Sequence, residues 1–161
     1  MNQNEIDLFL SWLDKKPIKI TLLLDSKKDG DLTNTFYNKC GGKSPTVVFV
    51  KTTKGYRFGG YSSISWKDQN GSFSSDKNNF IFSLDKKKKY KIKNPDKAIQ
   101  TYSSYFGFGG GCDFLIENNY SSNNYNYVNN NGTYDTTETY ELNFGEYYFT
   151  VSSYEVYQID Y

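Results

Sequence analysis

Two carboxylates, two thiols, a run of glycines and a set of tyrosines are the groups in this sequence that could do chemistry. Asp113 and Glu155, held a hydrolase separation apart, would make an acid and base pair able to act on a sugar. Cys40 and Cys112 would each need an exposed electropositive setting to react as thiolates, for instance with peroxide, and Lys39 beside Cys40 is the nearest sequence support. Gly109 to Gly111, within FGFGGGCDFLI (106–116), invite the reading of a phosphate cradle. Such cradles open onto a helix and, in the P-loop, add a Lys and a Ser or Thr. Here the apolar run Phe114, Leu115 and Ile116 follows at once. The glycines therefore predict a tight turn into a buried strand, with Asp113 as a hydrogen-bonding or turn-forming carboxylate at the junction. Tyr120, Tyr125, Tyr127 and Tyr134 lie in a polar stretch and would serve as sugar-stacking platforms if they formed a coplanar exposed strip.

What is missing narrows the chemistry further. Among 161 residues there is no histidine, which removes the Ser-His-Asp and Cys-His nucleophile systems. With two cysteines, a four-ligand structural zinc site also lacks its usual donors, so neither a metal nor a cofactor is expected. The formal net charge is +1 and Arg57 is the single arginine, which gives no reason to expect nucleic acid. Lys86 to Lys89 read as a solvated turn rather than an anion contact. No apolar run reaches the length of a membrane span, and the first residues lack the pattern of a secretory signal. A reducing cytosol without a disulfide is therefore the expectation, and the sequons at Asn70, Asn119 and Asn131 read as chance in an Asn-rich chain.

The elements that must position these groups are mostly strands, and aromatic residues make up 19% of the chain, which favours pleated half-buried surfaces. Ile6, Phe9, Leu10 and Leu13 have helical spacing within Glu5–Leu13. Ile18, Ile20, Leu22 and Leu24 alternate as a strand. Asp25–Asp31 reads as a polar turn, and Asp31 or Thr33 as the cap of a second helix that stops at Gly41 and Gly42. TVVFVK (46–51) is apolar on both faces and so central. YRFGGY (56–61) returns as its hairpin partner, Gly59 and Gly60 marking a bulge or a close backbone approach. Residues 62–79 read as a polar loop around Trp66, Phe80–Leu84 as a strand, and Ala98–Tyr105 as an irregular strand. Residues 118–139, rich in asparagine, read as a long surface loop without apolar periodicity. The last strands carry Tyr147, Phe149 and Val151, then Val156 facing away from Glu155, Tyr157 and Ile159; if buried, Glu155 needs a partner. The expected fold is α+β and mainly β: one domain over 1–161, a two-layer antiparallel β-sandwich flanked by short helices.

TLLLDSKKDGDLTNTFYNKCGGKSPTVVFVKTTKGYRFGGYSSISW, SDKNNFIFSL, YFGFGGGCDFLI and YYFTVSSYEVYQI, in that order, resemble a TLDc domain, the module shared by oxidation-resistance proteins and their relatives. The likeness runs from about residue 13 to 159. It implies a β-sandwich bordered by helices. It further implies a non-catalytic cytoplasmic module, a monomer, that binds the vacuolar-type proton ATPase, modulates its assembly, is linked to oxidative-stress resistance and reaches organelle membranes through the pump. Carried over position by position, the resemblance implies binding roles for Gly59 and Gly60 in the FGGY element, Asp76 before the FIFSL strand, Gly110 and Asp113 in the GGG-x-D element, and Glu155 in the last strand. Cys112 stands where histidine or another residue is frequent, so no family role for a histidine carries over there, and the Asn-rich stretch is longer and more polar than usual. The competing readings are a carbohydrate-binding sandwich using the loop tyrosines and a carboxylate-based hydrolase.

Overall fold

The structure, a computed structural model, describes residues 1–66 and 70–161. The chain opens with α1 (Gln3–Leu10), whose start is fixed by a reciprocal cap. The Asn2 side chain accepts from the Glu5 amide, and the Glu5 carboxylate accepts from the Asn2 amide. Next come β1 (Lys19–Asp25), the one-turn α2 (Ser26–Asp29), α3 (Thr33–Cys40), β2 (Thr46–Thr52), β3 (Arg57–Ser62), β4 (Asn70–Ser74), β5 (Phe80–Ser83) and β6 (Lys88–Lys91). After them follow β7 (Ile99–Tyr102), β8 (Tyr105–Phe108), β9 (Phe114–Glu117), β10 (Asn126–Val128), β11 (Tyr148–Phe149) and β12 (Val151–Asp160).

The strands form two six-stranded antiparallel sheets, in the orders β1-β12-β2-β3-β5-β6 (sheet one) and β11-β10-β9-β8-β7-β4 (sheet two). This is the expected two-layer sandwich. Its main core lies between the sheets and joins Val48, Val50, Phe58, Ile81 and Val156 from one layer to Ile99, Phe106, Phe108, Phe114 and Ile116 from the other. Helix α3 closes one end: the Phe36 ring lies on Phe106 with centroids 3.7 Å apart and planes 2° apart. A second core lies on the outer face of sheet one, where Phe9 of α1 is covered by Phe49, Tyr61, Phe80 and Phe82. Burying one such ring contributes roughly 1.5–3 kcal/mol. The central position expected for β2 is observed, with β12 on one side and β3 on the other.

Several expectations change once the strands are paired. The stretch 118–139, expected as a surface loop, is in part core: it supplies β10, and Tyr120, Asn126, Val128, Thr133 and Tyr134 are all buried. Asparagine does there what apolar periodicity does elsewhere. Asn126 Nδ2 donates to the carbonyls of Tyr120 (3.1 Å) and Phe149 (3.2 Å), while its Oδ1 accepts from the Glu117 amide (2.9 Å). The side-chain amide thus completes a sheet that the backbone leaves short of partners.

In β1 the regular alternation fails because the register against β12 slips between Leu22 and Leu24. Leu24 turns into the main core, Ile20 packs beneath α1, and Leu22 and Ile18 stay exposed. The expected 25–31 turn contains α2, and α3 starts without a side-chain cap. The expected 62–79 loop contains β4 and the fully buried Trp66, whose indole N–H bonds Thr46 Oγ1 at 2.9 Å; residues 67–69 of that expectation lie outside the described residues. The lysine run is not only a turn. Lys88 to Lys91 form the edge strand β6, where inward Tyr90 is buried and the lysines blunt the open edge.

Candidate functional site

The glycine cluster forms the β8–β9 turn. Gly109 (φ 94°), Gly111 (φ 83°) and Cys112 (φ 59°) all occupy left-handed backbone. The turn consumes its own amides: Gly109 N bonds Ala98 O (3.0 Å), Gly110 N bonds Thr133 Oγ1 (3.0 Å), Cys112 N bonds Gly109 O (3.1 Å) and Asp113 N bonds Phe108 O (2.6 Å). Its carbonyls are held too. Asn131 Nδ2 donates to the carbonyls of Gly111 (2.7 Å) and Cys112 (2.8 Å), and the Tyr127 hydroxyl to that of Gly111 (3.0 Å). Amides committed in this way leave little for a phosphate.

Asp113 lies under this turn with no solvent exposure. One carboxyl oxygen accepts from the Tyr134 amide at 3.3 Å, and the other has no hydrogen-bond partner. Burial pushes the acid up to about 7, against the smaller opposing effects of the Tyr134 amide and the Thr133 hydroxyl. A side chain on Gly109 would collide with the Asp113 carboxyl, and one on Gly110 with the stem of Lys97.

Gly59 and Gly60 are adjacent in β3 but serve opposite faces, and the pairing of β3 with β2 and β5 is in regular register. A Cβ on Gly59 would stand 2.0 Å from the Val48 carbonyl oxygen and 2.6 Å from the Phe82 ring, and one on Gly60 2.6 Å from the Phe108 ring. Of the two expected explanations, close approach is the one observed. Asp76 organises the turn before β5, accepting from the Ser63 hydroxyl and from the Asn78 amide (3.0 Å).

Glu155 lies on the outer face of sheet one, in a cleft of about 270 Å³ bordered by Glu5, Phe49, Arg57 and Leu84. Its carboxylate receives the Tyr157 hydroxyl (2.8 Å) and the Met1 backbone nitrogen (3.0 and 3.1 Å), the partner that a half-buried acid requires. Arg57 in the same cleft is spent on Asp85, at 2.6 Å, and on Glu5. Asp113 lies in the β8–β9 turn of sheet two and does not border this cleft. The two carboxylates expected as an acid and base pair are therefore not brought together.

Both thiols are buried, and burial pushes each up to about 12. Neither has the setting that a reactive thiolate needs. Nor do the four loop tyrosines form a strip: Tyr120 and Tyr134 are core residues, Tyr127 is partly buried, and of the four only Tyr125 is exposed. Among the described residues, no cluster of His, Cys, Asp or Glu could hold a metal, and no helix is long and apolar enough to cross a membrane.

Sequence reasoning passed over a different aromatic surface. On the outer face of sheet two, β-pairing places Tyr148 beside Tyr127, Tyr127 beside Leu115, and Tyr105 beside Tyr102. Tyr127 stacks on Tyr147 (5.2 Å, 7°) and Tyr102 on Tyr105 (5.3 Å, 18°). Tyr127 and Tyr148 are far apart in sequence, and Tyr102 and Tyr105 meet across a tight hairpin, so only the register that aligns them reveals the surface.

Comparison with known proteins places these features in context. The family model described as "TLDc domain" matches residues 1–160. A zebrafish (Danio rerio) protein named MTOR-associated protein MEAK7 is 40% identical over 63 residues, which cover 39% of this chain and 14% of that protein. The chicken (Gallus gallus) protein of the same name is 33% identical over 87 residues, 54% of this chain and 16% of the relative. The chain thus matches about one-seventh of the length of these relatives.

Proposed function

The chain belongs to the TLDc domain family, and from that premise we propose that it is a non-catalytic protein-interaction module that binds the vacuolar-type proton ATPase and modulates its assembly. The observation that carries this reading is the tyrosine-rich outer face of sheet two, where no helix of the described residues lies over Tyr102 and Tyr148 and both rings stay exposed. Tyrosine supplies large contact area at small entropic cost, and such rings are enriched at protein interfaces. A difference in affinity between assembled and separated pump states shifts that equilibrium without any bond being made.

Of the six positions suggested by the family motifs, Asp76, Gly110 and Glu155 reach the surface; Asp76 and Gly110, in the loops after β4 and β8, are the ones that touch the partner in this reading, and Glu155, on the opposite sheet, is not. Gly59, Gly60 and Asp113 are enclosed and contribute by fixing the sandwich beneath it. The module works in the cytoplasm and meets organelle membranes through the pump, and resistance to oxidative stress follows from pump activity rather than from Cys40 or Cys112. A second reading, favoured by the name carried by both relatives, is association with mTOR.

The test is a pull-down with the purified chain from a lysate containing pump subunits and mTOR, with identification of what is retained. Enrichment of pump subunits over an unrelated β-sandwich supports the first reading. Enrichment of mTOR without them transfers the assignment to the second, and retention of neither overturns both.

A further inference from the structure

Between the chain leaving α1 and the outer face of sheet one lies a cleft of about 380 Å³, walled by Trp12, Tyr61, Phe80 and Tyr161 and reached by Lys89 and Ser63. Its floor is rigid. The Tyr61 ring stacks on Phe80 (5.0 Å, 16°), Trp12 is held against Phe82 (5.4 Å), and the Tyr61 and Tyr161 hydroxyls are 3.3 Å apart.

Lys89 enters from the edge strand β6. Its ammonium stands 4.3 Å from the Phe80 ring centroid and donates to the Trp12 carbonyl at 2.7 Å. An ammonium carries three donors, and among the described residues no second acceptor is bonded to this one. Burial, the largest influence on Lys89, lowers its pKa; Asp14 acts in the opposite direction and Lys91 in the same one. A partly desolvated cation with spare donors, set over an aromatic floor, interacts with an anion more strongly than a lysine standing in bulk water.

We propose that this cleft binds a small aromatic carboxylate, with the carboxylate on Lys89 Nζ and the ring packed against Phe80, Tyr61 and Trp12. The charge pattern favours one carboxylate over a phosphate. Lys89 and Lys15 border the space against Asp14, a net single positive charge that suits a monoanion better than a dianion, and the one arginine of the chain is engaged elsewhere with Asp85 and Glu5. The volume is at the small end of ligand sites, room for one ring and a short acid chain. A free aryl acid, an aromatic amino acid and the C-terminal aromatic residue of a peptide share this chemistry.

The experiment titrates the purified chain with 3-phenylpropionate, phenylalanine, a tetrapeptide ending in phenylalanine, and the neutral analogue 3-phenylpropanol. Trp66 is fully buried and Trp12 borders the cleft, so quenching of tryptophan fluorescence reports on Trp12. Proton–nitrogen correlation spectra of the wild-type chain locate the site without any substitution. Expected are saturable binding of at least one acid, on the order of millimolar for a ligand of this size, and shifts centred on Tyr61, Phe80 and Lys89. At least about tenfold weaker binding is expected for Lys89→Gln, the loss of roughly one charge-assisted hydrogen bond, with less than about twofold change for Lys91→Gln at a neighbouring exposed position. Tighter binding of the amino acid than of phenylpropionate identifies a zwitterion paired with Asp14, and binding of the peptide alone identifies a protein C-terminus as the source. Equal binding of the neutral alcohol, shifts centred elsewhere, unchanged affinity in Lys89→Gln, or no saturation by any acid at about 10 mM, tenfold above the expected range, overturns the proposal. Should Lys89→Gln not fold, the wild-type shift map and the neutral analogue decide alone.

Discussion

On the outer face of sheet one, Val47, Phe49, Phe80, Phe82 and Ile159 are buried beneath α1, whereas on the outer face of sheet two Tyr102, Tyr148 and Phe73 remain 43%, 53% and 44% exposed. Both faces are aromatic, so ring content alone does not decide which is covered. The first is mostly phenylalanine and aliphatic, and it is matched by a helix whose Phe9 enters a ring of four aromatic partners. The second is mostly tyrosine. Its phenols keep one end wet or bonded at the surface, as Tyr127 does to the Gly111 carbonyl, and a wet aromatic face is stable without a cover. One face is therefore built to hold the fold and the other is free to meet a partner.

The largest expected effect comes from uncovering the first face. Phe9→Ala removes the ring that α1 inserts there and costs about 3–5 kcal/mol, enough to unfold much of a marginally stable domain. Chemical denaturation followed by circular dichroism measures it. A loss under about 1 kcal/mol, well below the range for a buried ring, would mean that α1 is an ornament and that the contrast between the faces is false.

The turn beneath the second face gives the next effect, through pH. The Asp113 carboxyl is raised from 3.8 to about 7 in the folded chain, so the folded state binds the proton more tightly than the unfolded one. Stability is therefore greatest at pH near 4, falls as pH rises towards 7, and is flat above that. From this group alone the fall is up to about 4 kcal/mol, at roughly 1.36 kcal/mol for each pH unit between the two values. Asp113→Asn abolishes the slope. Because its new NH₂ replaces an oxygen without a partner, it returns about 1–3 kcal/mol of the gain, and the net stabilisation at pH 8 is correspondingly smaller. Urea midpoints for both proteins between pH 4 and 8 check the sign; parallel curves would show that Asp113 ionises freely.

A third expectation concerns the Asn-rich segment that borders the tyrosine face. Asn126→Ala breaks two buried hydrogen bonds and a partly buried one and costs about 2–3 kcal/mol, while Asn124→Ala, at an exposed position, stays within about 0.5 kcal/mol. The difference in denaturation midpoint separates a structural asparagine from a solvating one.

That segment also marks where the sequence stops being legible. Runs such as TVVFVK and FIFSL announce buried strands because hydrophobic burial dominates there, and the glycines at 59, 60 and 109–111 announce close approach and positive φ because nothing else fits. The two-layer fold was readable from these. The core role of 118–139 was not, because its strand is held by side-chain amides rather than by apolar side chains, and amides look alike whether buried or wet. The faces of β1 were hidden by a one-residue slip in register, and the Lys88–Lys91 strand by the fact that only Tyr90 is buried in it. Of the candidate site, the junction role of Asp113 and the need of Glu155 for a partner were legible. The tyrosine face depends on the register that sets Tyr148 beside Tyr127, and the Lys89 cleft on the meeting of Trp12, Tyr61, Phe80 and Tyr161 from separate parts of the chain, so neither is marked by one local pattern.

The smallest expected effect on stability carries the most weight for function. Tyr102→Ser and Tyr148→Ser replace half-exposed rings at the rim of sheet two, and surface substitutions of this kind stay within about 0.5 kcal/mol. If the face were merely wet, a double variant would behave like wild type in every binding assay. If it is the contact surface, the double variant keeps its melting profile and loses retained partner by about tenfold or more, since central aromatic residues of an interface carry a disproportionate share of its affinity. Glu155→Gln on the opposite sheet, which keeps the shape of the side chain and removes its charge, is the paired control. Partner loss there, with the tyrosine variant unaffected, would move the interface to the helix-covered side and reverse the roles assigned to the two faces.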